Sequence, residues 1–334
     1  MLEQQEKVWE YRAVEPGQAG DPTVVQITEE NVARYALLAQ NDDPRFQRAG
    51  ASQEYGGALV AMPTMALSYA PLLRDEIAEA SGFVAVEKSR TARRQTPFAK
   101  CDVRWMAPVQ AGDTITGTRR VLEKYERRGS KFVIFRVEAS NQHGQQVAAY
   151  DYTCIFEYAE GQKTVPKDRG SAQPPPAGNG PVAEAARSAR FSSFDALSVG
   201  DQLVPLEVSE SQEIINNRNE FRLAGKPSPS NIHTDEEFAR QNIFGGTVNA
   251  GPATMSYVDQ MLQLSFPLRA FYGGGRLLMR AIEPFRSGDT VTFQGEVTGK
   301  QVEDGKKLVT CRVKGTNQRG SLVCLSDATL VMPE

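Results

Sequence analysis

Two stretches of this 334-residue chain repeat each other at a fixed distance along the sequence. Pro108-Val-Gln-Ala-Gly-Asp-Thr-Ile-Thr116 recurs as Pro284-Phe-Arg-Ser-Gly-Asp-Thr-Val-Thr292, an offset of 176 residues (284 minus 108). A register kept through so many unlike residue types indicates a tandem duplication, so two copies of one domain must account for the fold and the function. The same offset relates further identical pairs without a gap: Gly129/Gly305, Lys131/Lys307, Arg136/Arg312, Val137/Val313, Asn141/Asn317, Gln142/Gln318, Gly144/Gly320, Asp151/Asp327 and Thr153/Thr329.

The composition is that of an ordinary globular protein, with 40% hydrophobic and 24% charged residues. The net charge of −3 gives no reason to expect nucleic acid or an anionic membrane as a partner. The sequence contains no apolar run long enough to span a membrane, and its first residues lack the apolar core of a signal peptide. We therefore expect a cytoplasmic protein.

The four cysteines predict neither a disulfide framework nor a metal site. No two of them have CxxC spacing, and Cys154, Cys311 and Cys324 stand in apolar, strand-like runs. We therefore expect buried free thiols and no bound metal.

A stretch rich in proline and glycine, Lys167 to Pro181, separates the two copies and is typical of an exposed, extended linker. The predicted organisation is an N-terminal domain over residues 1–160, a linker over 161–190 and a C-terminal domain over 191–334. The N-terminal domain is expected to support and bind substrate, and the C-terminal domain to carry catalysis.

Each copy predicts the same series of elements. A polar helix with an acidic first turn follows a capping residue, Thr28 in the first copy and Ser209 in the second. A Gly-Gly pair then leads into an apolar helix, over 62–73 and over 252–264, and most of the remainder is strand. This inventory predicts an α+β fold in which an antiparallel sheet curls around one central helix in each copy.

Three motifs of the second copy, taken in order, resemble one known family. They are Asn231-Ile-His-Thr-Asp-Glu-Glu-Phe-Ala239, Phe244-Gly-Gly-Thr-Val-Asn-Ala-Gly251 and Pro284-Phe-Arg-Ser-Gly-Asp-Thr-Val291. They look like the Asp-x-Asn-Pro-Ile-His-x-Asp loop, the Val-Ala-His-Gly helix start and the Pro-x-x-x-Gly-Asp strand of the MaoC-type hydratases and dehydratases. Leu59-Val-Ala-Met-Pro-Thr-Met65 is similar to the N-terminal half of double-hotdog members of that family.

The resemblance implies two tandem hotdog domains packed as an intramolecular pseudo-dimer, and it leaves a further homodimer open. It also implies acyl-thioester substrates, carried on coenzyme A or on an acyl carrier and bound between the two hotdogs, with no separate cofactor. The implied reaction is that of a hydro-lyase, which adds water to a 2-enoyl thioester or removes it from the 3-hydroxy compound.

Of the two histidines, His233 occupies the family's catalytic position. Imidazole titrates near neutrality, so it can act as a base toward water and as an acid toward C2 of the substrate. His143 stands in an Asn-Gln-His-Gly turn and is expected to be solvated. The family has an Asp five residues before its histidine, but this chain has Ser228, which can hold a water molecule but cannot act as a carboxylate base. Gly251 completes the predicted catalytic set, because the first-turn N–H groups of the central helix suit a thioester oxygen that gains charge.

Substrate contacts are predicted in both copies. In the first copy, Asn41 and Phe46 take the positions of the family's Asp and His, in a loop that either lines a substrate tunnel or is structural. Arginines on a strand of the second copy are candidates for coenzyme A phosphates, as are Arg93, Arg94 and Lys100 in the first. The predicted substrate-binding set is Asn231, Asn249, Ala250, Asn41, Phe46, Met62, Arg276 and Arg280.

Ser228 leaves the source of the second proton-carrying group open. Either a replacement acid comes from Asp42, Asp43 or Asp102, or His233 is both base and acid. Two other functions also stay open. A hotdog thioesterase needs a carboxylate on the central helix, where the second copy offers Asp259. A hotdog without hydratase activity would bind a ligand, or catalyse a cyclisation or elimination in secondary metabolism.

Overall fold

The computed structural model describes residues 6–51, 53–161, 189–226 and 230–333. Residues 162–188 of the predicted linker and Ser228 lie outside the described residues. The elements of the first copy are β1 (Val8–Trp9), β2 (Ala19–Gln26), α1 (Glu29–Leu38), α2 (Ala66–Tyr69), α3 (Arg74–Ala80), β3 (Val84–Ala85), β4 (Phe98–Trp105), β5 (Thr114–Arg127), β6 (Ser130–Ser140) and β7 (Gln146–Glu157). Those of the second are β8 (Leu206–Ser209), α4 (Gln212–Glu220), α5 (Glu236–Arg240), α6 (Gly251–Gln263), α7 (Arg269–Tyr272), β9 (Arg276–Ala281), β10 (Thr290–Glu303), β11 (Lys306–Asn317) and β12 (Leu322–Met332).

The two copies share one ten-stranded sheet. Its strand order is β2-β5-β6-β7-β4-β9-β12-β11-β10-β8, so the second five strands mirror the first five. The copies meet where β4 pairs antiparallel with β9, and Asp102 stands opposite Leu278 at that junction. These two residues are related by the 176-residue offset, which places an approximate twofold axis between them. Strands β5 and β10 begin and end at residues that correspond in the repeat.

Helix α6 forms the core of the second copy. Every residue from Ala253 to Gln263 is buried, as expected of a helix enclosed by its own sheet. Pro252 lies in the first turn, where its missing N–H leaves no hydrogen bond unmade.

The apolar helix predicted over 62–73 of the first copy is wrong in its length. The chain makes a 3-10 turn at Pro63–Met65 and continues as α2 only to Tyr69. Pro71 disfavours helical geometry at the residue before it, and Ala70 lies at φ −128° and ψ 71°. The chain then turns through Leu73, at φ 46°, into α3.

The predicted capping residues fare differently in the two copies. Thr28 caps α1, accepting the N–H of Asn31 at 3.1 Å in a capping box. The prediction for Ser209 is wrong, because Ser209 ends β8 and Ser211 caps α4. Helix α4 therefore begins at Gln212, two residues later than a cap at Ser209 predicts.

All four cysteines are buried free thiols, as predicted. Within the described part of the chain, no helix has the length and apolarity to cross a membrane. Across those same residues, no three His, Cys, Asp or Glu side chains cluster as a metal site would require.

Candidate active site

His233 lies in the loop between α4 and α5, facing the start of α6. Its Nδ1 is 2.8 Å from the carbonyl oxygen of Val248. A carbonyl oxygen only accepts hydrogen bonds, so Nδ1 carries the proton and Nε2 of the neutral ring holds the free lone pair. The contact therefore fixes which nitrogen can act as a base.

Burial lowers the pKa of His233 below the 6.5 of a free imidazole, and the positive charges of Arg74 and Arg222 act in the same direction. A group with a lowered pKa loses its proton at lower pH. The imidazole is therefore neutral at pH 7, and Nε2 is ready to accept a proton.

Polar side chains fix the loop that carries His233. Asn231 Oδ1 accepts the backbone N–H of His233 at 2.8 Å, an Asx-type contact that shapes the turn. Gln212 Nε2, at the start of α4, donates to the His233 carbonyl at 2.8 Å, and Gln212 Oε1 accepts from Thr247 Oγ1 at 2.8 Å. No sequence motif marks Gln212, whose position at the start of a polar helix gives no sign that it reaches this loop.

The first copy also holds this loop. The guanidinium of Arg93 stacks 4.0 Å from the ring centroid of Phe238, and its Nη2 donates to the Ser230 carbonyl at 3.2 Å. The N–H of Gln95 donates to Asn242 Oδ1 at 3.1 Å. Arg93, predicted as a contact for coenzyme A phosphates, thus contacts the second copy's loop.

Two cavities meet at His233. One, of about 370 Å³, has a mainly apolar lining that includes Phe98, Ile232, Phe244 and Phe285. The other, of about 350 Å³, lies between the copies and is lined by polar and apolar residues in similar measure, with an excess of positive charge; we call it the cationic cavity. Its lining includes five cationic side chains and two carboxylates: Arg74, Lys88, Arg218, Arg222, Lys226, Asp75 and Glu87.

The start of α6 separates these cavities. Gly251 lines the apolar cavity, while Ala250 and Pro252 line the cationic cavity. Pro252 has no N–H and the Ala253 N–H donates to the Ala250 carbonyl at 2.9 Å, so the N–H of Gly251 is the first-turn donor without an acceptor among the described residues, and it lies at the positive end of the helix. Gly251 also has a packing role, because a Cβ there would come within 2.4 Å of the Phe98 ring.

Asn249 is buried between Val248 and the start of α6. It lines the apolar cavity together with His233. Its Nδ2 atom is inaccessible to solvent and has no hydrogen-bond partner among the described residues. A buried amide donor without an acceptor is unfavourable, so this group needs an explanation.

The carboxylates proposed as replacement acids line neither cavity. Asp43 pairs with Arg45 at 2.9 Å, and Asp102 pairs with Arg276 at 2.5 Å. Among the described residues that line the apolar cavity, Glu283 alone carries a carboxylate. No motif marks Glu283, although this residue directly precedes the repeated segment that begins at Pro284.

Three predicted substrate contacts of the first copy lie in the protein core. Asn41, Phe46 and Met62 are each at most 2% exposed, and none lines either cavity. Asn41 Nδ2 lies 3.5 Å from Met62 Sδ. This placement is consistent with a structural role for the loop, and the predicted contact with substrate stays a prediction.

Asp259 is fully engaged where the copies meet. Its Oδ2 accepts the N–H and the hydroxyl of Thr64 at 2.9 and 2.7 Å, and its Oδ1 accepts from Gln263 at 2.6 Å. It lines neither cavity. The carboxylate that a thioesterase would need therefore caps a helix of the first copy.

Arg276 and Arg280 lie away from both cavities. Arg276 Nε donates to Asp102 at 2.7 Å across the junction between the copies, and Arg280 Nη1 donates to Asp327 at 2.8 Å. Both arginines thus form ion pairs on the sheet, and their contact with coenzyme A phosphates stays a prediction. His143 lies in an exposed turn, as predicted.

Solved structures match nearly the whole chain. A MaoC-like dehydratase gives a TM-score of 0.69 at 17% identity, covering 95% of this chain and 99% of its own. A MaoC domain protein of Chloroflexus aurantiacus gives 0.67 at 16% identity, covering 97% of each chain. A Mycobacterium tuberculosis protein with a double hotdog fold gives 0.54 at 12% identity, covering 96% of this chain and 98% of its own. The chain is a double hotdog protein, as predicted.

Residues 217–318 match the family model described as the MaoC-like domain. This segment spans the His233 loop, the start of α6 and the repeated strand. A comparison with curated proteins gave no significant match. The chain therefore contains a MaoC-like domain in its second copy, and the resemblance to the MaoC-type family is confirmed.

Proposed function

We propose that the protein is an acyl-thioester hydratase or dehydratase of the MaoC type, with His233 at its centre. The observation that supports it is the placement of His233. A neutral imidazole, with Nε2 as its basic atom, stands where an apolar cavity, a cationic cavity and a helix N-terminus meet. The apolar cavity suits an acyl chain, and the cationic cavity suits a phosphopantetheine chain and the phosphates of coenzyme A.

In the hydration direction, Nε2 accepts a proton from water as the oxygen bonds to C3 of the enoyl thioester. Electron density moves from the C2–C3 double bond to the thioester oxygen, and the N–H of Gly251, at the positive end of α6, stabilises the resulting charge. Collapse of this enolate with a proton at C2 gives the 3-hydroxyacyl thioester. Dehydration is the same path in reverse.

The proton for C2 comes from one of two groups under this proposal. His233 can return the proton it has taken, or Glu283, which lines the same cavity, can supply it. Glu283→Gln removes the acid and keeps the shape of the side chain. A large loss of kcat in that variant assigns the proton to Glu283, and an unchanged kcat assigns both transfers to His233.

The test uses the two histidines as a matched pair. Wild-type protein, His233→Ala and His143→Ala are incubated with crotonyl-CoA and a longer enoyl-CoA, following enoyl absorbance and release of free thiol. We expect enoyl loss in the wild type and in His143→Ala, and a fall of about a thousandfold in His233→Ala, within the range of general base catalysis. Absence of turnover of any enoyl thioester by wild type would contradict the proposal.

A second candidate function is a hotdog without hydratase activity that binds a ligand or catalyses an elimination or cyclisation. The observation that favours it is Ser228, which stands where the family pattern has an aspartate. It predicts acyl-thioester binding without enoyl loss in the same assay. The thioesterase predicts release of free thiol, and the engagement of Asp259 with Thr64 and Gln263 counts against it.

A further inference from the structure

The side-chain amide of Asn249 is a polar group of the apolar cavity that the proposed hydration does not use. Asn249 is 9% exposed, and its Nδ2 has no acceptor among the described residues. Its neighbours in the cavity are mostly aliphatic and aromatic, for example Ile232, Val248 and Phe285. Leaving an amide donor unpaired in such surroundings is unfavourable, whereas an apolar side chain of similar size would carry no such penalty.

The backbone holds this amide close to the reacting groups. The Val248 carbonyl accepts from Nδ1 of His233, and Asn249 is the next residue. Asn249 in turn donates its backbone N–H to the Phe285 carbonyl at 2.6 Å, which anchors the residue to the loop before β10. Because α6 begins two residues later, the imidazole, the amide and the helix N-terminus lie on one short, fixed segment.

We infer that the Asn249 amide turns toward the cavity when substrate binds, so that Nδ2 donates a hydrogen bond to an oxygen on the acyl part of the substrate. This inference rests on the proposed function, because it assigns the cavity to the acyl group. The substrate class is then an acyl thioester that carries a carbonyl or hydroxyl oxygen beyond the two reacting carbons, rather than a plain alkyl chain. A site with a buried donor discriminates against the analogue that lacks the acceptor, since binding that analogue leaves the donor unpaired.

The test is a binding measurement with unreactive ligands, so that it does not depend on hydration. Hexanoyl-CoA, 4-oxohexanoyl-CoA and 5-oxohexanoyl-CoA are titrated calorimetrically into wild type, Asn249→Ala and Asn249→Leu. We expect at least one oxo compound to bind wild type about tenfold more tightly than hexanoyl-CoA, and this preference to disappear in both variants. Equal affinities in wild type, or a preference that survives Asn249→Leu, would overturn the inference.

Stability distinguishes ligand recognition from a structural role. Because Nδ2 has no protein partner, Asn249→Leu should unfold at the same urea concentration as wild type or at a higher one. A marked loss of stability in Asn249→Leu would indicate a structural role and count against the inference. Failure of the proposed function appears separately: the oxo preference is then present, but no enoyl thioester is hydrated.

Discussion

The two copies differ most at the start of their central helices. In the second copy, the start of α6 at Gly251 faces both cavities. In the first, the turn at Pro63 is closed, because Asp259 accepts the N–H and the hydroxyl of Thr64, and the Trp105 indole donates to the Pro63 carbonyl at 2.7 Å. The carboxylate that closes one helix start comes from the helix whose own start is open. The two copies therefore differ at the position where the proposed chemistry takes place.

The largest expected effect comes from opening the closed helix start. Asp259→Ala leaves two buried donors of Thr64 without an acceptor, and we expect the free energy of unfolding to fall by about 3 kcal/mol. Asp259→Asn keeps one acceptor oxygen, and Gln263, whose Oε1 has no partner among the described residues, can turn to accept from it. We therefore expect a loss of about 1 kcal/mol or less for the asparagine variant, measured by urea unfolding.

The same pair of variants tests the role of Asp259 in chemistry. A purely structural role predicts normal hydration per folded molecule in Asp259→Asn. A stable Asp259→Asn protein that has lost hydration would place this carboxylate in the hydration reaction. Loss of thiol release in that variant would instead favour the thioesterase function.

The next effect concerns the open helix start. Gly251→Ala would bring a Cβ within 2.4 Å of the Phe98 ring, so the ring must move, and we expect a loss of about 2 kcal/mol. Phe98→Leu should relieve the overlap, so the double variant should be more stable than the sum of the single changes predicts. Additive losses in urea unfolding would show that Phe98 is not what requires a glycine here.

A smaller effect is expected from releasing the His233 loop. Arg93→Ala removes the stacking on Phe238 and the contact with Ser230, worth about 1 kcal/mol at this exposed position. We expect faster amide exchange over residues 230–242 and a KM for enoyl-CoA raised a few-fold. Arg120→Ala is the matched control, since Arg120 pairs with Glu138 within the first copy and lines neither cavity, and it should change neither measurement.

The smallest effect is expected in the pH profile. Hydration needs neutral Nε2, and the lowered pKa of His233 means that the neutral fraction rises as pH increases through a value below 6.5. The kcat/KM for enoyl-CoA should therefore reach its plateau by about pH 7 and fall on acidification, equally in wild type and His143→Ala. An acidic limb with a midpoint above 6.5 would show that another group sets the profile.

Much of the fold follows from the repeat and from local rules. The offset between Pro108 and Pro284 predicts two equivalent sheets, and the Thr28 cap and the buried cysteines follow from residue type. Pro71 also predicts the break in the first apolar helix, because a proline interrupts helical hydrogen bonding. The apolar pattern of residues 62–73 alone predicts a continuous helix, and the proline ends it.

The site was predictable only where the sequence itself carries a motif. His233 and Gly251 stand in motifs, and the structure brings both to the same cavity. Arg93 and Asp259 act on residues more than 130 positions away in the chain, through contacts with the opposite copy. No local pattern marks such contacts, since they exist only once β4 has paired with β9.

The pairing of β4 with β9 has a thermodynamic consequence. In a dimer of separate chains, a site built from both subunits is lost on dilution as the subunits part. Here Arg93 and Phe98 reach the His233 loop and α6 from within the same polypeptide, so their local concentration is set by the chain and not by the solution. The site should therefore keep its composition at any protein concentration at which the chain remains folded.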